Sequence, residues 1–336
     1  MTPEFPQRTA MRPKAVTWAK HIGLLLLTFV TSTIAGVLAP FGLIQFGSDV
    51  EAETFAEILA LIPTIPLAYL NLVTGTIGLL ASNGELLAYG LSFSASLLFI
   101  LIAHELGHYI ACRIYGVDAT LPYFLPVPPL IGPAGTLGAF IRIVSPMPSR
   151  RAVFDIGVAG PIAGFVALLP VAIIMVLTLK TAPPVPVTAE TSQIIFFDPL
   201  LIKILAWLQG IDLSQPIYPN PFYGATWIGL LVTALNLIPS GQLDGGHAVF
   251  AVFGERIHRW TGRIAFVLMA FMSVLGLYLY NSPSGFLFAI ILAVMLKIRH
   301  PKPLDTTPLD KKRIAIAILT LLIFVLCFVP IPLELT

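Results

Sequence analysis

Seven stretches of this chain are apolar over lengths that match, or nearly match, the ~20 residues a helix needs to cross a bilayer. They lie near His21–Phe41, Leu86–Tyr115, Ala152–Leu179, Tyr223–Phe253, Arg263–Tyr280, Ser284–Ile298 and Ile314–Val329. Only 11% of the 336 residues are charged, against roughly 25% in an ordinary soluble domain. Too few charges remain to cover a water-facing surface, so lipid is the natural solvent. The 29 prolines and 26 glycines fit the same setting, because membrane helices and re-entrant loops tolerate both. The expected fold class is an all-α polytopic membrane protein with about seven transmembrane helices.

The distribution of charge gives an orientation. Of the 19 Lys and Arg residues, all but Lys180 and Lys203 fall on one side if the ends after Tyr115, before Ala152, after Phe253 and around Ile314 face the cytoplasm. Under the positive-inside rule this places the N-terminus and those loops inside. The net charge of +2 argues neither for nor against nucleic acid, and no nucleic-acid partner is expected. Phe55–Ala81, broken by Pro63, Pro66, Gly75 and Gly78, then should not cross once; a hairpin or an outer-face segment is expected. Ile194–Leu208 is interrupted by Asp198, Pro199 and Lys203 and reads as a short interfacial helix. The first span follows four basic residues but exceeds a usual signal-peptide core, so a retained anchor is expected.

Residues 1–336 read as one membrane-embedded domain: 1–85 anchor and hairpin or interfacial segment, 86–253 catalytic core, 254–336 C-terminal helices. The outer stretch Lys180–Pro221 falls below the ~50 residues of a usual domain. Cys112 and Cys327 both sit in apolar runs and form no disulfide framework.

Within the second span lies His104-Glu105-Leu106-Gly107-His108. Residues i and i+4 share a helix face about 6 Å apart along the axis, so both imidazoles can reach a single tetrahedral Zn²⁺. Glu105 projects to the neighbouring edge, where it can take a proton from water, whose pKa falls toward ~7 on zinc. Ionisable groups inside a span cost roughly 2.5 kcal/mol or more each, and a shared metal explains three of them in five residues. Asp244 is the best candidate for the third ligand, since it and Glu105 are the most deeply placed acids and lie toward the same face. One zinc ion per chain is expected. Cys112 is about 12 Å along the axis from His104, too far to share an ion easily. His247, close after Asp244, is expected to support the site or pack its loop, with a substitute ligand or proton relay as the alternative.

The run Asn236-Leu-Ile-Pro239-Ser-Gly-Gln-Leu243-Asp244-Gly245-Gly246 resembles the NxxPxxxLDGG signature of site-2 proteases, which pair it with HExxH on an earlier helix. The resemblance covers about Leu87 to Phe253. It implies His104, His108 and Asp244 as zinc ligands, Glu105 as catalytic base, and Asn236 as the group holding substrate or oxyanion. Gly135-Thr136-Leu137-Gly138-Ala139-Phe140 is similar to the family's re-entrant β-loop between the first two core helices, and is expected to bind substrate. A helix hides its scissile carbonyls in internal hydrogen bonds, and a strand edge can hold the unwound segment extended, with Gly135 and Gly138 permitting close backbone approach. Gly157–Gly164 resembles the small-residue stretch of the next core helix and is read as helix packing. No PDZ or CBS domain has room here, and the pattern is similar to the PDZ-less branch of archaea, cyanobacteria and chloroplasts.

The resemblance implies intramembrane proteolysis of transmembrane proteins, already trimmed by another protease, near the cytoplasmic face of a bacterial inner or thylakoid membrane. A metal-ion transporter would need polar residues through both leaflets, and here they lie at one depth. A non-catalytic adaptor or chaperone would be favoured by loss of Glu105 or a ligand, and all are present.

Overall fold

A computed structural model describes residues 12–44, 62–132, 134–182, 194–298 and 300–335. Among them the helices are α1 (Ala15–Val37), α2 (Ile65–Ser82), α3 (Gly84–Ile114), α4 (Arg150–Thr178) and α5 (Leu200–Leu208). Next come α6 (Pro221–Leu237), α7 (Asp244–Phe253), α8 (Glu255–Tyr280), α9 (Ser284–Lys297) and α10 (Lys311–Cys327). Two antiparallel pairs complete the architecture: β1 (Tyr123–Pro126) with β2 (Thr136–Phe140), and β3 (Ile194–Phe196) with β4 (Leu333–Leu335). The chain is a membrane protein: five segments, Ala15–Val37, Ile62–Ser82, Gly84–Ile114, Arg150–Thr178 and Glu255–Tyr280, are long and apolar enough to cross a bilayer. Leu26, Val166, Leu177, Phe271 and Leu321 all stand more than half exposed on helix surfaces, which suits hydrocarbon and not water.

The centre of the molecule is the packing of α3, α4 and α6. Phe93, Leu97 and Ile100 of α3, Leu168, Ala172 and Met175 of α4, and Ala225, Leu230 and Ala234 of α6 are buried in one cluster. Small residues let the backbones approach: a Cβ on Gly107 of α3 would stand 2.4 Å from the Ala159 carbonyl oxygen of α4. Close contact of this kind replaces the hydrophobic drive that lipid removes. α1 joins through the buried pair Thr33 Oγ1 and Ser94 Oγ, 2.8 Å apart, and its Gly36 lies flat against Phe93.

Two expectations from the sequence are revised. Tyr223–Phe253 is not one helix: α6 stops at Leu237 and α7 starts at Asp244. Pro239 has no N–H to donate, Ile238 before it is extended (φ −60°, ψ 131°), as a pre-proline residue prefers, and Gly241 takes φ +54°. The described part of Phe55–Ala81 is a single helix and not a hairpin. Pro66 sits in its first turn, where a missing N–H costs nothing, and Gly75 and Gly78 face open space. The beginning of that segment, within residues 45–61, lies outside the described residues. Ile194–Leu208 is a short strand followed by the nine-residue α5.

An ion-pair network ties α10 to the core. Arg313 donates from Nη2 to Asp155 of α4 at 2.6 Å and to the Tyr115 hydroxyl at 3.1 Å, and also engages Asp310. Tyr115 in turn donates to Asp155. Removing one partner of a desolvated pair strands the other charge. Arg313→Ala should therefore lower stability by roughly 2–3 kcal/mol, after allowance for the partial exposure of both groups. A thermal-unfolding midpoint equal to wild type would show that the network contributes nothing.

Candidate metal centre

α3 carries His104, Glu105 and His108, all buried. Asp244 is the first residue of α7, reached from α6 across the break at 238–243. The break is what turns this carboxylate inward: had the helix continued, no N-terminus would present it to α3. Gly245 and Gly246 allow the turn to close. A Cβ on the first would lie 2.0 Å from the Leu237 carbonyl oxygen, and one on the second 2.5 Å from that of Gly241.

The three donor atoms form a nearly equilateral triangle. His108 Nε2 lies 3.2 Å from His104 Nε2, and Asp244 Oδ2 lies 3.3 Å from His104 Nε2 and 3.2 Å from His108 Nε2. A tetrahedral zinc with bonds of about 2.0–2.1 Å separates its ligand atoms by about 3.3 Å. His108 Nδ1–H donates to the Ile156 carbonyl oxygen at 2.7 Å, which leaves Nε2 with a free lone pair and fixes the ring. Two imidazole nitrogens and a carboxylate oxygen thus converge on one point with the charge and geometry zinc requires. Among the described residues this is the one group of His, Cys, Asp and Glu with that convergence.

Glu105 is not part of the triangle. Its carboxylate is met by the backbone N–H of Ile141, just after β2. The end of the β1–β2 hairpin therefore lies beside Glu105. Asn236, one residue from the end of α6, places Nδ2 3.3 Å from His104 Nε2. Cys112 is buried in a separate apolar cluster. His247 packs its Cβ against Gly157 and its Nδ1 lies 2.7 Å from His300 Nε2, so it supports the loop instead of entering the triangle.

β1 pairs with one side of β2, and no further strand covers the other side among the described residues. Thr136 is buried and its hydroxyl donates to the Leu125 carbonyl oxygen, while Leu137 (69%) and Phe140 (45%) are exposed. Ala139 faces Phe124 in the register. Gly138 takes φ +94° with open space beyond its Cα. Gly135 differs from expectation: its close approach is internal, to Thr31 of α1, whose hydroxyl donates to the Gly135 carbonyl oxygen at 2.7 Å.

Sequence reasoning assigned Gly157–Gly164 to packing alone, and the structure adds a second role. A Cβ on Gly160 would sit 2.0 Å from His108 Nε2, and one on Gly164 3.1 Å from His104 Cβ. The signal was available: residues 157, 160 and 164 are spaced three and four apart, so one face of α4 is bare where the imidazoles lie.

The comparisons with known proteins agree with this geometry. The model of peptidase family M50 matches residues 92–279, which contain every residue of the triangle, Glu105 and Asn236. The chain is 29% identical over 260 residues to "Probable zinc metalloprotease EGY2, chloroplastic" of Arabidopsis thaliana, covering 76% of this chain and 44% of that protein. It is 27% identical over 253 residues to the protein of the same name in Oryza sativa subsp. indica, covering 74% and 44%. To "Probable zinc metalloprotease EGY1, chloroplastic" of Arabidopsis thaliana it is 32% identical over 251 residues, covering 73% and 42%. The chain thus spans less than half the length of the curated relatives it matches. With more than half of its residues matched by the family model, and with HExxH and LDGG brought onto one point, this chain belongs to peptidase family M50, the family of the site-2 proteases.

Proposed function

We propose that this chain is an intramembrane zinc endopeptidase that hydrolyses a peptide bond in or near the transmembrane segment of another protein. The observation that carries the reading is the triangle of His104, His108 and Asp244 with Glu105 beside it and outside it. A site built only to store or pass an ion has no use for a buried carboxylate held just off the ligand set.

His104, His108 and Asp244 would hold one zinc ion per chain. When bound, zinc supplies a Lewis acid that polarises a carbonyl and acidifies water. Glu105 takes the proton of the attacking water as the new C–O bond forms, and delivers it to the departing amine as the C–N bond breaks. Asn236 donates its amide N–H to the oxygen that gains negative charge. The buried setting strengthens both interactions.

The β1–β2 hairpin is the proposed re-entrant loop, between the first two core helices α3 and α4. An unwound substrate segment pairs with the uncovered side of β2, where main-chain bonds hold it extended. Gly138 leaves room for its backbone, and Leu137 and Phe140 receive its side chains. Phe140→Ala removes one such contact; burial of a large apolar side chain corresponds to roughly 1.5–3 kcal/mol. The expected result is a KM raised about tenfold or more, with bound zinc unchanged. An unchanged KM for several substrates would remove the hairpin from substrate binding.

The remaining features follow from charge and family. Seven crossings, with α2 lying at the outer face and α6 and α7 together making one, would put the triangle toward the cytoplasmic side of a bacterial inner or thylakoid membrane, the orientation that the one-sided basic residues favour. Residues 86–253 form the catalytic core. The substrates are transmembrane proteins trimmed beforehand by another protease. The test is cleavage of a model single-pass substrate by the purified protein, stopped by a chelator and restored by zinc. Stable binding of the substrate with no cleavage would favour an adaptor, and zinc uptake into vesicles without cleavage would favour a transporter.

A further inference from the structure

The first half of α8 carries Arg256, Arg259 and Arg263 around Trp260. These four residues enclose a surface cavity of about 240 Å³. The guanidinium of Arg263 lies over the Trp260 ring, 5.4 Å from its centroid. Three other basic side chains are engaged: Arg313 by Asp155 and Asp310, Arg150 by the Val252 carbonyl oxygen, and Lys302 by Glu255 at 3.4 Å. Among the described residues no carboxylate stands within ion-pair distance of Arg256, Arg259 or Arg263. Three positive charges on one helix face repel one another, and an anion seated between them would relieve that repulsion.

The same helix face states what kind of anion. Residues 256, 260, 263, 267, 271 and 274 are spaced four, three, four, four and three apart, so they form one stripe. After Arg263 the stripe turns apolar: Val267 (62%), Phe271 (59%) and Val274 (60%) are exposed. From Arg263 to Val274 the helix rises about 16 Å, close to one leaflet of a hydrocarbon core about 30 Å thick. A ligand matching this stripe has a negative head and an apolar body about one leaflet long. We propose that Arg256, Arg259, Arg263 and Trp260 form a binding site for the phosphate headgroup of an anionic membrane lipid, with its acyl chains along Val267, Phe271 and Val274.

The site has a way to reach the metal centre. Arg259 and Arg263 also wall a second cavity, of about 420 Å³, that includes His258, Met295 and Gly241. His258 Nε2–H donates to the Gly241 carbonyl oxygen at 2.9 Å, and a Cβ on Gly241 would touch Met295. Gly241 lies in the break that delivers Asp244, so the second cavity, which shares Arg259 and Arg263 with the headgroup site, borders the segment that sets the third ligand.

The full chain in nanodiscs, examined by native mass spectrometry, tests the site. Wild type in mixed phosphatidylcholine and phosphatidylglycerol should retain phosphatidylglycerol preferentially. Arg256→Gln with Arg259→Gln and Arg263→Gln should weaken that retention about a hundred-fold, the combined effect of three basic residues near an anionic surface. Lys297→Gln with Lys311→Gln and Lys312→Gln, the same loss of three charges elsewhere, should not. No preference in wild type would overturn the proposal even if the triple variant fails to fold. Equal loss in both variants would overturn it in favour of a diffuse surface potential. Displacement of the lipid by soluble glycerol phosphate as effective as by phosphatidylglycerol would overturn the lipid as occupant in favour of a free phosphate compound.

Discussion

Glu105→Gln should abolish cleavage and leave zinc in place. The substitution keeps the shape of the side chain and its capacity to accept the Ile141 N–H, so the pocket has no reason to rearrange. Glu105 contributes no atom to the triangle, so the ligand set survives. What is lost is the capacity to take up a proton, which in general acid–base catalysis corresponds to 10²–10⁴ in rate. Zinc content per chain and the initial cleavage rate, measured on the same sample, decide the matter. Loss of zinc together with activity would make Glu105 a ligand or a structural residue. Retained activity would remove it from the mechanism.

Gly160→Ala should empty the metal site without touching a ligand. The added methyl would stand 2.0 Å from His108 Nε2 and 2.4–2.5 Å from two ring carbons. No rotamer change of the alanine can relieve it, so either the imidazole or α4 must move. His108 is pinned on its far side by the Ile156 carbonyl oxygen of α4 itself, which leaves little freedom. Disturbing a group that orients a ligand typically costs 10–100-fold in metal affinity, and here the clash falls on the ligand nitrogen. Zinc content well below one per chain is expected, with activity falling in proportion. Gly78→Ala is the control, because its Cβ meets nothing within 4 Å and alanine is the better helix former. Full zinc occupancy in Gly160→Ala would show that α3 and α4 separate freely at this point.

The convergence of His104, His108 and Asp244 was legible in the sequence because the chemistry proposed for them fixes their spacing. His104 and His108 need one helical turn between them, and Asp244 needs to be an acid at the same depth in another apolar segment. The fold class was legible for a similar reason, since crossing a bilayer imposes a length and a composition. The break between α6 and α7 was not read, because hydropathy over a window records composition and not backbone direction. Pro239 and Gly241 carried that information. Ile141 and Ile156 act through main-chain atoms, which any side chain would have supplied, so no residue type marked them. Gly160 was visible as a small residue but not as one facing His108, since that depends on how α3 and α4 are rotated. The network of Arg313, Asp155 and Tyr115 joins residues up to 198 positions apart, and only the packing of α10 against the core helices α4 and α6 reveals it.

The central claim is that this site cuts a membrane-embedded chain, and the position of the cut tests it most directly. A single-pass substrate reconstituted with the purified protein in lipid should yield two fragments whose masses place the new termini within or at the edge of its transmembrane segment, with none formed when a chelator is present. Fragments ending only in the substrate's soluble parts, or fragments that form equally with the chelator, would contradict the account.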